Sequence, residues 1–147
     1  MDITLSPAKK CISEIEAISS KSYVHRLLIA AALSDKASTV KTNILSDDMK
    51  ATIDCLNAMG ADIKVEDKII YVNHIAGILS GKKCEKVHLN PNESGSTARF
   101  LLPVASVLCK HFTMEGHGKL PQRPLGPVCQ CMRANGAEIS SDFIPLE

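Results

Sequence analysis

The sequence predicts a mixed α/β (α+β) chain built on a repeated helix–strand–helix–hairpin unit of about 75 residues. Three observations carry this. First, Ser46–Ile63 and Gln122–Ile139 align at a constant offset of 76 residues, with Cys, Ala, Gly-Ala and Ile coinciding and Leu56 facing Met132. Second, Arg26–Leu33 and Ala98–Leu108 are apolar nearly all round, the pattern of helices enclosed on every side. Third, the stretches between helices are short and β-rich.

The elements follow in order. The first helix leads out of Ser20 into Arg26–Leu33 and stops at Ser34-Asp35-Lys36. A strand is expected over Thr39–Ile44. Asp47-Asp48 then read as an N-cap and a first-turn acid, a commoner role for such a pair than catalysis. That helix ends at Gly60, a C′ position suited to a left-handed residue. Ile63–Val65 and Ile69–Val72 form a hairpin across Glu66-Asp67-Lys68. Strands follow at Lys86–Leu89 and His111–Glu115, on either side of the second apolar helix. Pro103 removes a helix hydrogen bond there and crowds the Arg99 carbonyl, which favours a kink. The second amphipathic helix stops at Gly136, and the return strand of its hairpin falls near Pro145 onward. A chain stopping in mid-hairpin leaves an unpaired edge, so this one is expected to be the front part of something longer.

Bulk properties exclude more than they assign. With 147 residues, 45% apolar and 22% charged, the chain can build a real core. A net charge of +1, no Trp and only 3% aromatics disfavour a nucleic-acid surface. The longest apolar run, Leu27–Leu33, is too short to span a bilayer. Cys11, Cys55, Cys84, Cys109, Cys129 and Cys131 follow no secretory signal and form no C-x-x-C pair. Reduced, mostly buried thiols in a cytoplasmic protein are expected. His25, His74, His88, His111 and His117 show no ligand spacing, so no metal site and no cofactor are expected. Gly116-x-Gly118 is too short for a nucleotide loop.

Position matters more than number for the cations. Arg26, Arg99 and Arg123 lie in Ser20–Arg26, Glu93–Arg99 and Leu120–Pro124, each near a predicted helix start. A helix start offers unpaired N–H groups and roughly half a positive charge. Adding a cation makes an anion site. Three such sites suggest a substrate, or substrate pair, rich in phosphate and carboxylate.

These motifs resemble three signatures of the enolpyruvyl transferase family. They are Lys21-Ser22-x-x-x-Arg26, Ser94-Gly95-Ser96-Thr97-Ala98-Arg99 and Leu120-Pro121-Gln122-Arg123-Pro124-Leu125. The resemblance is closest to the branch acting on shikimate 3-phosphate, the EPSP synthases. Ser46-Asp47-Asp48 and the helix ending Met59-Gly60-Ala61 also fit, and order and spacing agree from about Ser20 to Ile139. The related UDP-N-acetylglucosamine enzymes fit less well, because Glu115–Lys119 lacks their catalytic Cys.

The resemblance implies transfer of the enolpyruvyl group of phosphoenolpyruvate to the 5-hydroxyl of shikimate 3-phosphate, releasing phosphate. It implies two globules of three units each, with buried parallel helices and outer sheets, and helix starts facing the cleft between them. Residues 1–18 would be a strand segment of the second globule. Residues 19–147 would be an incomplete first globule, holding two of the six units. Lys21, Ser22 and Arg26 would hold shikimate 3-phosphate; Lys21, Gly95 and Arg123 would hold phosphoenolpyruvate. Ser96 and Arg99 match the same motif, Arg99 with a structural role as its alternative. Pro124 would take the first helical position. Glu93 stands where the family more often has Asn, adding a negative charge near an anion site. No residue matches the family's proton-transfer carboxylate, which belongs to the second globule. The partner implied is therefore the missing C-terminal part of the enzyme, with the 147-residue chain inactive alone. The alternative is a non-catalytic substrate-binding or structural remnant. Neither nucleic acid nor membrane is expected as a partner.

Overall fold

The computed structural model of the chain describes residues 3, 4, 6 and 14–147. Cys11 and most of segment 1–18 lie outside the described residues; residues 14–20 run without helix or strand.

Helix α1 spans Lys21–Ala32. Its Ala- and Leu-rich sequence favours the helix, and Ser20 offers its carbonyl to the Tyr23 and Val24 amides. Helix α2 spans Asp47–Ala58, α3 Gly95–Leu108 and α4 Gly126–Ala134. Strands β1 (Ser38–Lys41), β2 (Asp62–Glu66) and β3 (Ile69–Asn73) form an antiparallel sheet in the order β1-β3-β2. The inward residues Val40, Ile63, Ile70 and Val72 meet through the Val40↔Ile70 and Ile63↔Val72 pairs. Strands β4 (Cys84–Leu89) and β5 (Cys109–Met114) pair in parallel, with α3 as the crossover between them.

The β1 strand is shorter than expected. The Thr42 hydroxyl turns back onto the Ile44 carbonyl at 2.6 Å, while the Thr42 amide still pairs with the Lys68 carbonyl at 2.9 Å. Pro124 does not open a helix. Leu125 is the N-cap of α4, held by its amide on the Asp142 carbonyl at 2.8 Å, and Pro127 takes the first turn instead. The amphipathic helices α2 and α4 end alike. Gly60 and Gly136 have φ of +98° and +88°, and the next amide reaches back to Leu56 and to Met132 respectively. At the other end of the chain, Met114 bridges Leu146, and the Ser140 amide donates to the Glu147 carbonyl at 2.8 Å.

One apolar core joins the elements, with Leu28, Leu56, Met59, Ile70, Leu101 and Leu102 fully buried. α1 and α2 lie on the three-stranded sheet, and α3 lies on β5. Among the described residues α1 and α3 are not enclosed on every side. Tyr23, Leu27 and Ala30, spaced along one face of α1, are exposed, and Val107 of α3 is 64% exposed. Cys55, Cys84, Cys109, Cys129 and Cys131 are free thiols. Burial pushes Cys55 up to about 12 and Cys109 up to about 11, so both stay protonated and unreactive.

Candidate anion site

The starts of α1, α2 and α3 meet. Lys21 is the first residue of α1, and its ammonium bonds the carboxylate of Asp48 in the first turn of α2. That hydrogen bond, more than any other influence, holds Asp48 below the usual carboxylate range; burial opposes it. Ser46, rather than Asp47 or Asp48, caps α2, accepting from the Met49 amide at 3.3 Å. Two acids in its first turn answer the α2 dipole, whereas α1 and α3 have none there.

The start of α3 is where the guanidinium groups converge. Ser94 caps the helix by accepting from the Thr97 amide at 3.2 Å. Gly95 follows, and a Cβ on it would lie 2.8 Å from Arg99 Nη1 and 3.3 Å from Arg123 Nη1. Arg99 is fixed on backbone, donating to the carbonyls of Gly95 at 3.2 Å and Pro124 at 3.0 Å. Arg123 closes the short 3₁₀ turn Leu120–Gln122 and precedes α4. Lys21, Gly95, Ser96, Arg99 and Arg123 line one open cleft of about 430 Å³, together with Asp48, Glu93 and Phe100. Three cations thus stand against two carboxylates, one of them committed to Lys21. Such a set can bind and orient an anion through charged hydrogen bonds and a bare backbone.

Ser22 and Arg26 do not line that cleft. Arg26 donates to its own Ser22 carbonyl at 2.8 Å and lies 4.7 Å over the Phe100 ring, one wall of the cleft. Glu93 makes no ion pair among the described residues. Its carboxylate folds against Gly118, with Oε1 1.9 Å from where a Cβ would stand.

The sequence reading missed the polar floor of the site. His25, Thr52, Thr97 and Ser94 are buried side by side beneath the three helix starts. The signal available was one His and two Thr on otherwise apolar helix faces. A larger groove, about 1080 Å³, lies between β5 and residues 136–140 and holds none of the predicted site residues. Among the described residues no group of His, Cys, Asp and Glu is placed to hold a metal ion, and no helix is long and apolar enough to cross a membrane.

Comparison with known proteins bears on this geometry. The model of the EPSP synthase (3-phosphoshikimate 1-carboxyvinyltransferase) family matches residues 5–143. A 3-phosphoshikimate 1-carboxyvinyltransferase of Clostridium botulinum (strain Alaska E43 / Type E3) is 37% identical over 135 residues, covering 89% of this chain and 30% of that protein. One from Nitrosopumilus maritimus (strain SCM1) is 31% identical over 134 residues, covering 90% and 30%. A solved structure of EPSP synthase from Acinetobacter baumannii superposes with a TM-score of 0.73 at 20% identity, covering 90% of this chain and 30% of that one. The fold is therefore shared, and the chain spans about a third of the length of the relatives it matches.

Proposed function

The chain belongs to the EPSP synthase family, and from that premise we propose that it supplies the N-terminal half-site for enolpyruvyl transfer from phosphoenolpyruvate to the 5-hydroxyl of shikimate 3-phosphate, with release of phosphate. The observation that carries the reading is the convergence of Arg99 and Arg123 on the bare backbone of Gly95, in a cleft that Lys21 also lines. Phosphoenolpyruvate is a small, highly charged anion. Lys21, Gly95 and Arg123 are assigned to it, with Ser96 and Arg99 completing the wall. Shikimate 3-phosphate is assigned to Lys21, Ser22 and Arg26. Arg26 spends one of its five donors on Ser22 and has the rest for a carboxylate beside Phe100. The proton-transfer groups are assigned to the remainder of the enzyme, as a partner part outside this chain.

Calorimetric titration of the 147-residue chain with shikimate 3-phosphate tests this. Binding is expected, and Lys21→Ala should lose about 1.5–3 kcal/mol, the worth of a hydrogen bond to a charged group. No heat from a chain with a folded circular-dichroism spectrum would leave only the family scaffold, without a working half-site.

A further inference from the structure

The buried polar atoms beneath the site form one continuous line. His25 Nδ1 lies 2.7 Å from Thr52 Oγ1, which lies 2.7 Å from Thr97 Oγ1, which lies 2.7 Å from Ser94 Oγ. Ser94 is the N-cap of α3 and immediately precedes Gly95, so the line ends at the wall of the cleft. His25, Thr52, Thr97 and Ser94 are 0–2% exposed, so water offers them no alternative partner.

Donor counting gives the line a direction. Each hydroxyl has one proton to donate, and the Thr97 hydroxyl gives its own to Ser94. Ser94 accepts from the Thr97 amide and the Thr97 hydroxyl, which fills both of its lone pairs. Thr97 then accepts from Thr52. Thr52 must accept from His25, which requires a proton on Nδ1. The competing acceptor for both threonines is the Asp48 carbonyl, at longer distances of 3.2 and 3.3 Å. His25 Nε2 is buried without a hydrogen-bond partner. A proton there would be a buried donor with nothing to receive it, which points to the same tautomer.

We propose that His25 is a positioning residue of the anion site: as the Nδ1–H tautomer it anchors a one-way relay through Thr52 and Thr97 to Ser94 that fixes the start of α3, and with it the Gly95 backbone, against α1 and α2. The relay ties α1, α2 and α3 together at the turn where each meets the cleft. The proposal deepens the half-site reading and rests on it for what the Gly95 backbone and its neighbouring guanidinium groups bind. The charged groups facing His25 agree with a neutral ring. Burial lowers its proton affinity most, Asp48 opposes this, and Lys21 and Arg26 add to it.

The test has two arms on the 147-residue chain. The first is the ¹⁵N shifts of the His25 ring, assigned by their loss in His25→Asn; Nδ1 protonated and Nε2 bare is expected. The reverse tautomer overturns the relay. The second is titration with inorganic phosphate. Thr52→Val should weaken binding by up to about tenfold, the upper end for one neutral hydrogen bond. Thr52→Ser keeps the hydroxyl, and His25→Asn can place an amide N–H where Nδ1 was; both should bind like the parent. Folded Thr52→Val that binds phosphate as tightly as the parent also overturns the proposal. A parent chain that binds phosphate but not shikimate 3-phosphate would sink the substrate reading and leave the relay standing.

Discussion

Gly95 is the residue on which the site turns. Its missing Cβ leaves room for two guanidinium ends, at 2.8 and 3.3 Å from the vacant position. Both neighbours are the tips of flexible side chains, so Gly95→Ala should move them rather than break the helix. We expect anion affinity to drop about tenfold while stability changes by less than about 1 kcal/mol; phosphate titration beside a urea melt separates the two. An unchanged affinity would mean the guanidinium groups do not act on the ligand through this spot. His25 sets a pH dependence of the same site. Its folded pKa lies below the ordinary 6.5, so the unfolded chain binds the proton first as pH falls. The stability it contributes is present above about 6.5 and is lost as pH drops through the folded value. Asp48 acts likewise at lower pH, because its folded pKa lies below 3.8. Thermal melts should therefore fall between pH 7 and pH 5, with a shallower slope in His25→Asn; equal slopes would exclude His25 as the source.

At the scale of the element, helix ends decide what the sequence pattern leaves open. Ser46 and Ser94 both cap by accepting the amide three residues on. Removing such a cap costs about 0.5–2 kcal/mol. Ser94→Ala should fall at the upper end and Ser46→Ala at the lower, because Ser94 also takes the Thr97 hydroxyl. Equal losses in denaturant melts would show that the Thr97 bond contributes nothing. At the opposite ends, Gly60 and Gly136 stop α2 and α4 with the same backward bond. Nothing lies within 4 Å of a Cβ added to Gly136, so Gly136→Ala isolates the backbone cost of φ +88°, about 1–2 kcal/mol.

For the molecule as a whole, one core supports a surface that still shows apolar side chains. Leu56 is fully buried where α2 meets the sheets, and Leu56→Ala should cost about 2–5 kcal/mol in a urea melt. A smaller loss would mean the core closes around the gap. The faces carrying Tyr23, Leu27 and Val107 have no cover among the described residues. The counterpart at the cleft is that cations and bare backbone face it, with its carboxylates either paired or folded against a loop. The 147-residue chain by itself should release no phosphate from phosphoenolpyruvate and shikimate 3-phosphate, and turnover above background would refute that.

The sequence alone determined what depends on local pattern. The helix start signals, the Gly stops, the hairpin around Asp67 and the spacing of Lys21, Gly95 and Arg123 are all legible from neighbours in the chain. So is the family, because its motifs are short and keep their order. Tertiary structure decided whatever depends on residues far apart in sequence. The parallel pairing of β4 with β5, the Lys21–Asp48 bond and the line from His25 to Ser94 join segments separated by about 25 residues or more, and no periodicity encodes them. Arg26 and Arg99 read alike as helix-start cations, yet one lies on Phe100 and the other is held by two backbone carbonyls. A side chain's role follows from the donors and acceptors that packing brings within 3 Å of it, and the chain states these only once it is folded.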